Sequence, residues 1–452
     1  MSKSNVAAVF LMGALALVVA PQRTLAQEAD YRLYEEISSQ RKIVGPYIGH
    51  VTDATAAIWA YAGPRDAPLT LDIAEANVAG GGAETSGHQK LEVKPDAAAH
   101  HAVKFNVQGL KPQTRYSFKI SLAGDPPAVE AGSFTTAPKA DSPAKFRLAV
   151  SSCFGGQYRR ENGRTSEKRG YRNDSWQLLM DRDPDLQLII GDNVYADSTD
   201  YNHLWDAYTL ERLNNRPFGE AIRTIPTYAV WDDHDYGPND SDGTAAGKEQ
   251  SLRAFGEVYV NPPRHGVGGP GIYTSFNWGG VDFFLLDGRY HRTPNSAPND
   301  DNKRYLGDEQ FEWLVARLKE SKAPFKLLVN GSTWGARNRE DSWNSFNFER
   351  LRLWKAIVEN DVRGVVFVSG DIHRCDLPLQ WPDVEGGYAM PEIISSGLGS
   401  TGEDDMMGFV VADFDLTAAD PTMTARVIDG SGLEVVVRRV RASALRPATG
   451  DH

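Results

Sequence analysis

The chain has 452 residues, which is more than one hydrophobic core usually supports, so two domains are the expected organisation. An apolar fraction of 41% is enough for a large buried core and excludes global disorder. The net charge of −12 argues against stable binding to nucleic acid, whose phosphates carry the same sign, and two cysteines exclude a disulfide-rich scaffold.

Residues 1–26 have the pattern of a secretory signal peptide. Lys3 provides the positive start, an apolar run extends from Val6 to Ala20, and small residues lead up to a cleavage site after Ala26. No twin-arginine pair precedes the run. A retained membrane anchor is the alternative. We expect cleavage, a mature chain without a membrane span, and a periplasmic or secreted location.

Residues 27–138 are predicted to form a β-sandwich domain. Short runs of alternating polar and apolar residues, such as Ala56–Tyr61, are separated by turn residues and show no helical periodicity. The segment Leu110–Phe118 resembles the tyrosine corner of fibronectin type III domains, with the Tyr116 ring expected in the core. The stretch Thr136–Pro143 is predicted to link this domain to the next.

Residues 145–452 are predicted to form a second domain, of α+β class, in which buried strands alternate with helices. One helix is indicated by Phe311, Leu314 and Leu318, and another by Leu351, Trp354 and Val358, which recur at helical spacing. The strand candidates are compact apolar runs: Phe146–Val150, Leu186–Ile190, Thr227–Trp231, Val281–Leu286, Phe325–Val329 and Val365–Val368.

Five of these strands run into clusters of polar residues. The clusters occupy 151–156, 191–197, 231–240, 286–290 and 369–373. Ligands bind outside the carboxyl ends of strands in open α/β sheets, so we expect these loops to converge on one site. Carboxylates gathered there repel each other unless cations lie between them, which favours two metals bridged by Asp192. Helix caps and turns are the alternative explanation.

The kinds of residue in the clusters indicate which metals to expect. Only two of the ten histidines, His234 and His373, fall in the clusters, which disfavours an imidazole-rich zinc site. Carboxylates and the amide of Asn239 favour a hard cation such as Ca²⁺. Cys153 and Tyr195 supply thiolate and phenolate, which suit Fe³⁺. The sequence therefore predicts a mixed site that holds iron and calcium.

From about Lys145 onwards the chain resembles the PhoD family of alkaline phosphatases and phosphodiesterases, within the calcineurin-like metallophosphatases. The segment Gly191–Asp197 is similar to the purple acid phosphatase segment in which Asp bridges two metals and Tyr binds iron. Cys153 ends the first strand, as a Cys does in the PhoD family. Asp232–Asp235 resembles the family's Asp-Asp-His-Glu, with Asp replacing the final Glu, and Ser369–His373 resembles its last metal motif. The resemblance implies a four-layer α/β/β/α sandwich preceded by a β-sandwich.

Carried over residue by residue, the resemblance implies a set of metal ligands and two catalytic residues. The implied ligands are Cys153, Asp192, Tyr195, Asp371 and His373. Either Asp233 or Asn239 completes the second metal site. His234 matches the position that contacts the phosphate or protonates the leaving group, so His234 and Asp192 are the implied catalytic pair.

The remaining arginines and the cysteines each allow two interpretations. Arg159 and Arg160 either belong to a solvated loop or clamp an anionic substrate, because a guanidinium matches phosphate bidentately. Arg289 is a further candidate for phosphate contact. Cys153 is either a metal ligand or half of a disulfide with Cys375, which an exported protein permits.

These patterns together predict an exported, metal-dependent phosphoric ester hydrolase, a phosphatase or phosphodiesterase whose substrate is a small phosphorylated molecule. The metal motifs do not distinguish a monoester from a diester substrate, since the shape of the pocket decides this. Two alternatives stay open. One is a metallohydrolase that acts on another ester, because the same cations would polarise a sulfate or carboxylic ester. The other is a non-catalytic binding protein stabilised by calcium.

Overall fold

The structure, a computed structural model, describes the chain from residue 33 onwards with gaps. The described residues are 33, 37, 39–40, 42–76, 87–124, 127–139, 142–155, 158–161, 164–167, 174–264, 270–335, 340–399 and 408–448, with backbone alone for 158–161, 164–167 and 174. The predicted signal peptide, 1–26, lies outside them. Within the described ranges, no helix combines the length and the apolar character that crossing a bilayer requires.

The strands between residues 44 and 135 form two antiparallel sheets. They are β1 Val44–Val51, β2 Ala56–Tyr61, β3 Leu69–Glu75, β4 Gln89–Val93, β5 Val103–Val107, β6 Arg115–Leu122 and β7 Ala128–Thr135. One sheet has the order β1-β2-β5 and the other β4-β3-β6-β7. Alternate residues of β3 and β6 are buried, as the period-two pattern predicts. Tyr116 is buried, as predicted for its ring, and its hydroxyl accepts a hydrogen bond from the Lys111 N–H at 3.0 Å.

Two larger mixed sheets follow residue 145. Their strands, and those of a small hairpin, are β8 Lys145–Ser151, β9 Tyr158–Glu161, β10 Arg164–Glu167, β11 Leu186–Ile190, β12 Thr227–Val230, β13 Thr274–Trp278, β14 Val281–Leu285, β15 Lys326–Val329, β16 Val365–Ser369, β17 Cys375–Asp376, β18 Leu379–Gln380, β19 Met390–Ser395, β20 Gly408–Asp415, β21 Thr422–Asp429 and β22 Glu434–Arg441. The six-stranded sheet has the order β12-β11-β8-β20-β21-β22. The seven-stranded sheet has the order β13-β14-β15-β16-β19-β17, and β18 pairs with β19.

Helices connect many of these strands, so the fold is mixed α/β and rich in sheet. The helices are α1 Asp174–Met180, α2 Tyr201–Asn214, α3 Arg216–Thr224, α4 Asp233–Tyr236, α5 Lys248–Val258, α6 Asp308–Glu320 and α7 Asn347–Glu359. Helix α6 buries Phe311, Leu314 and Leu318, as predicted. In α7 the buried face is rotated relative to the prediction: Leu353 and Ile357 flank Trp354 in the core, whereas Leu351 and Val358 are only half-buried.

The strand directions explain where a site can form. In the six-stranded sheet β8, β11 and β12 are mutually parallel, and in the seven-stranded sheet β14, β15, β16 and β19 are parallel. The two sheets meet where the Ser395 hydroxyl, at the end of β19, donates to the Val150 carbonyl of β8 at 2.5 Å. The carboxyl ends of strands from both sheets therefore lie at a common edge, which is where the polar loops begin.

The β1-β2-β5 sheet packs directly against the six-stranded sheet. The Tyr47 hydroxyl of β1 donates to the Thr227 carbonyl of β12 at 2.8 Å, and the Tyr228 hydroxyl donates to the Val51 carbonyl at 3.1 Å. Arg212 of α2 is buried, with its guanidinium carbon 4.5 Å from the centroid of the Trp59 ring. The buried core is thus continuous from the first strands into the rest of the chain.

Candidate metal centre

The loops that leave β8, β11, β12 and β16 carry most of the predicted site residues within two to five positions of each strand end. These residues are Cys153, Asp192, Tyr195, Asp233, His234, Asp371 and His373. Four of these residues have backbone in the left-handed region, with φ of 55° at Cys153, 50° at Asp192, 73° at Asp371 and 53° at His373. Residues other than glycine rarely adopt this conformation, and it clusters where function imposes it. These four residues lie on three of the loops, those after β8, β11 and β16.

A thiol, a carboxylate, a phenol and an imidazole meet in the first cluster. The Cys153 Sγ donates to Asp192 Oδ2 at 3.3 Å, and the Tyr195 hydroxyl donates to the same oxygen at 3.2 Å. The Tyr195 hydroxyl also lies 3.1 Å from Nε2 of His373. The structure thus brings together four of the five ligands that the resemblance implies, within hydrogen-bonding distance of one another.

A second cluster is made of carboxylates and the His234 imidazole, and it shares Asp192 with the first cluster. Ligand atoms of Asp192, Asp233 and His234 lie within 4.8 Å of one another, and so do oxygens of Asp232, Asp233 and Asp371. Asp192 is therefore the one carboxylate of these groups that belongs both to the cluster with Cys153 and to the cluster with Asp233. This shared position is the one that a bridging ligand requires.

The electrostatics of the clusters favour bound cations. Burial, and then the neighbouring charge of Asp233, raise the pKa of Asp192 well above its ordinary range. Burial and the charge of Asp192 likewise raise the pKa of the Cys153 thiol. Among the described residues, the buried Oδ1 of Asp192 has no hydrogen-bond partner, and the buried Oδ1 of Asp233 has only an ion-pair contact with Arg289 at 3.7 Å. Buried carboxylate oxygens without donors fit a metal, because a cation supplies the missing positive charge.

His234 is held by a carboxylate that we did not predict. Its Nδ1 lies 2.5 Å from Oδ1 of Asp197, and its ring lies 4.2 Å from the Tyr195 ring, centroid to centroid. Asp197 is the last residue of the polar cluster after β11, so the rule that located Asp192 also covers it. The hydrogen bond orients the imidazole and leaves Nε2 as the nitrogen available for chemistry.

Ser396 is a second residue that the sequence analysis missed. Its hydroxyl lies 3.0 Å from the Cys153 sulfur and accepts a hydrogen bond from the His373 N–H at 2.8 Å. Ser396 follows directly after β19, so extending the search for polar residues to the end of this strand would have found it. It joins the loops that carry the thiol and the imidazole.

The structure separates the two residues that were alternatives for the second metal site. Asp233 is buried, and its Oδ2 accepts a hydrogen bond from the Asp240 N–H at 2.7 Å. Although burial opposes it, the guanidinium of Arg289 lowers the pKa of Asp233 to about 2. Asn239 is exposed on the turn that follows. Position and charge therefore both favour Asp233 over Asn239.

The prediction that Arg289 contacts phosphate is wrong. Its side chain is 0% exposed, and its Nε donates to Asp232 Oδ1 at 2.6 Å. A further hydrogen bond runs from Nη2 to the Ser332 hydroxyl at 2.9 Å. The sequence shows that a cation lies next to a predicted site. It does not show that the side chain of Arg289 is enclosed between two sheets. The side chains of Arg159 and Arg160 lie outside the described residues, and their backbones belong to the β9–β10 hairpin.

Both cysteines are buried and free in the structure, so the Cys153–Cys375 disulfide is not formed. Cys375 begins β17, where it pairs with Ser395 of β19. Its thiol is buried in the core cluster, whereas the Cys153 thiol faces Asp192. Of the two interpretations of Cys153, the structure favours the metal ligand.

A comparison with protein families matches residues 148–433 to the PhoD-like phosphatases. This region covers more than half of the chain and contains every residue of the two clusters. The chain belongs to the PhoD-like phosphatase family. The resemblance inferred from the sequence motifs is thereby confirmed.

Two curated relatives of this PhoD-like chain are similar over part of its length. It is 25% identical to alkaline phosphatase D of Bacillus subtilis strain 168 in an alignment of 324 residues that covers 62% of this chain and 54% of that protein. It is 24% identical to purple acid phosphatase 23 of Arabidopsis thaliana over 306 residues, covering 61% of this chain and 56% of the relative. The chain thus spans about half the length of the curated relatives it matches.

Two solved structures share the fold of this PhoD-like chain. The structure of PhoD has a TM-score of 0.69 at 16% identity and covers 90% of this chain and 92% of its own. Purple acid phosphatase PPD1 from yellow lupin seeds has a TM-score of 0.63 at 13% identity, with coverage of 89% and 74%. At these identities the likeness establishes the mixed α/β architecture.

Proposed function

We propose that this protein is a metal-dependent phosphoric ester hydrolase with a mixed site for Fe³⁺ and Ca²⁺. The observation that carries the proposal is the shared carboxylate of Asp192, which faces the Cys153 thiol and the Tyr195 hydroxyl and also belongs to the carboxylate cluster. Membership of the PhoD-like phosphatase family supports this activity. The substrate is a small phosphorylated molecule, a monoester or a diester.

We assign one metal to each of the two sets of donor atoms. Cys153, Tyr195 and His373 would hold iron, because thiolate, phenolate and imidazole suit a ferric ion. Asp233 and Asp371 would hold calcium, which prefers oxygen ligands, and Asp192 would contact both metals. When bound, the cations supply an activated water as nucleophile and offset negative charge on the phosphoryl oxygens.

His234 is the proposed general acid. Its Nδ1 is engaged by Asp197, so Nε2 is the atom that holds the proton for the leaving oxygen. The Asp197 carboxylate and the half-buried Tyr195 ring, whose centroid lies 4.2 Å from that of the imidazole, restrain the ring. Asp197 acts on the reaction through His234, which makes it a positioning residue.

The remaining parts of the chain complete the proposal. We infer an exported protein in which the leader 1–26 is removed, followed by a fibronectin III-like sandwich over 27–138. The strand orders β1-β2-β5 and β4-β3-β6-β7 and the hydrogen-bonded Tyr116 support this domain. We infer that residues 145–452 are the catalytic domain, a four-layer sandwich whose two inner layers would be the six- and seven-stranded sheets, and the two strand orders support this inference.

Asp192→Asn tests the proposed function. Turnover of nitrophenyl phosphate and of bis-nitrophenyl phosphate is measured with purified holoprotein, and iron and calcium are quantified in the same samples. We expect a loss of at least ~100-fold with an intact fold, because the variant removes the charge shared by both metals. Asp200→Asn is the control, since this exposed helix cap keeps its acceptor oxygen. A wild-type holoprotein that binds both metals but hydrolyses neither ester contradicts the proposal.

A further inference from the structure

The candidate metal centre is divided between two sheets. Cys153, Asp192 and Asp233 follow strands of the six-stranded sheet, whereas Asp371 and His373 follow β16 of the seven-stranded sheet. The separation of the two sheets at this edge therefore determines whether the two sets of ligands can reach the same ions. A shift of about 1 Å in such a geometry is enough to impair a site.

A buried ion pair joins the two sheets at this edge. Arg289 follows β14 of the seven-stranded sheet. Its Nε donates at 2.6 Å to Oδ1 of Asp232, which lies two residues after the end of β12 in the six-stranded sheet. Side-chain exposure is 0% for Arg289 and 2% for Asp232. The other guanidinium nitrogens are fixed by the Ser241 carbonyl at 3.2 Å and by Asp341 Oδ2 at 3.3 Å.

Asp232 packs closely between loops of the two sheets. A Cβ added to Gly191, at the end of β11, would lie 2.6 Å from the Asp232 Cβ. A Cβ added to Gly331, after β15 of the other sheet, would lie 2.5 Å from the Asp232 Cγ. Both distances are too short for a side chain, so the two backbones approach Asp232 as closely as glycine allows. The Asp232 carboxylate therefore has no room to follow a displaced partner.

We propose that Arg289 is a positioning residue whose ion pair with Asp232 fixes the separation of the two halves of the metal centre. The proposal rests on the metal-dependent hydrolase proposed above. The peptide bond from Asp232 to Asp233 transmits the restraint to a metal ligand, and the Arg289 Nη2 itself lies 3.7 Å from Asp233 Oδ1. A guanidinium holds a carboxylate in a fixed plane, which an ammonium does not.

Arg292 provides a matched control on the same loop. It is also buried, and its hydrogen bonds go to the Gly288 carbonyl at 2.6 Å, the Asp341 carbonyl at 2.9 Å and the Ser332 hydroxyl at 3.2 Å. Within the described part of the chain, none of its hydrogen bonds reaches Asp232. Arg292 therefore shares the burial and two of the neighbours of Arg289 but lies outside the inter-sheet ion pair.

The test compares Arg289→Lys, Arg292→Lys and the double variant Asp232→Asn/Arg289→Met. Holoproteins are equilibrated in calcium buffered with EGTA, and bound calcium is counted by atomic emission. Unfolding temperature is measured in EGTA, and kcat and KM are measured with nitrophenyl phosphate. We expect Arg289→Lys to weaken calcium binding by at least ~10-fold and to lower kcat more than it raises KM, whereas Arg292→Lys changes calcium binding less than threefold.

The double variant separates positioning from stability. It removes both charges of the Arg289–Asp232 pair together, and only the longer contacts of Arg289 with Asp233 and Asp341 are lost without replacement. Its unfolding temperature should therefore recover in part while its calcium affinity stays low. If calcium affinity follows the unfolding temperature across all three variants, the role of Arg289 is structural and the proposal fails. If the wild-type holoprotein binds calcium but turns over no ester, the proposed function fails, and the calcium measurements still decide the role of Arg289.

Discussion

Replacing Gly155 by alanine should damage the metal centre without touching a ligand. Gly155 lies two residues after Cys153, and its N–H donates to the Asp192 carbonyl at 3.2 Å. A Cβ at this position would lie 2.2 Å from the Asn193 carbonyl oxygen and 2.3 Å from the Val194 Cα. Both neighbours are backbone atoms of the loop that carries Asp192 and Tyr195, so no side-chain rotation removes the overlap.

The structure sets the size of the effect. Non-bonded carbon and oxygen atoms need about 3.2 Å or more, so the loops after β8 and β11 must separate by ~1 Å. A displacement of this size at a catalytic centre costs about 100-fold in rate, and overpacking costs ~1–3 kcal/mol of stability. The Cys153 thiol and the Asp192 carboxylate, 3.3 Å apart, would no longer face the same ion.

The assay measures nitrophenyl phosphate turnover and bound iron for Gly155→Ala beside Gly219→Ala. Gly219 lies in α3, where an added Cβ would be 3.3 Å from its nearest neighbour, the Arg212 carbonyl oxygen. Alanine there should be neutral or stabilising by up to ~1 kcal/mol, because glycine is a poor helix former. Gly155→Ala with wild-type iron content and turnover within threefold of wild type would refute the reasoning.

Three further predictions concern other residues. Tyr195→Phe should abolish the visible band that phenolate-to-iron charge transfer gives the holoprotein, and a colourless wild-type holoprotein with full iron contradicts this ligand. Burial raises the pKa of Glu349 from its ordinary 4.5 to about 7, so its contribution to stability is full below about pH 4.5 and is lost as pH rises through about 7. Urea unfolding of Glu349→Gln should therefore lack about 3 kcal/mol of the wild-type decline between these pH values, and an equal decline in both proteins refutes the assignment. Arg212→Met should change the unfolding free energy by less than ~1.5 kcal/mol, because methionine fills the site among the Tyr47, Trp59 and Tyr259 rings. Arg212→Ala should lower the unfolding free energy by ~3 kcal/mol, because alanine leaves a cavity. Equal losses for the two variants in calorimetry would contradict this prediction.

The strands and the loops that bear ligands could be predicted from the sequence, since a buried strand has a visible apolar run and its last residues have a known direction. Leu186–Ile190 was predicted with the bounds that the structure shows, and Asp192 follows it by two residues. Parallel strands place such loops at one edge. The convergence of Cys153, Asp192 and Asp233 follows from this rule, because their strands belong to one sheet. The approach of His373 depends in addition on how the seven-stranded sheet meets the six-stranded sheet.

Which side chains are buried between the two sheets could not be predicted from the sequence, because this depends on how one sheet packs on the other. Arg289 and Asp233 have the same sequence setting, a charged residue in a polar loop after an apolar strand. The structure makes Asp233 a member of the cluster and encloses Arg289 behind it. The partner of Asp232 could not be predicted either, since nothing in the sequence shows that it is a cation from another sheet.

The buried guanidinium of Arg289 also affects how much positive charge the metal centre can bind. The acidic groups of the two clusters are Asp192, Asp232, Asp233, Asp371, Cys153 and Tyr195. With thiolate and phenolate ionised, these groups carry more negative charge than the guanidinium of Arg289 can offset, and that guanidinium is shared with the buried carboxylate of Asp341. The proposed ferric and calcium ions would supply further positive charge. The chain's net charge of −12 therefore describes the protein without metals, and at the centre itself the proposed cations reduce the negative charge that an anionic substrate meets. Without Arg289 the same ions would leave more buried negative charge uncompensated beside the phosphate, so the arginine that does not contact substrate still contributes to accepting it.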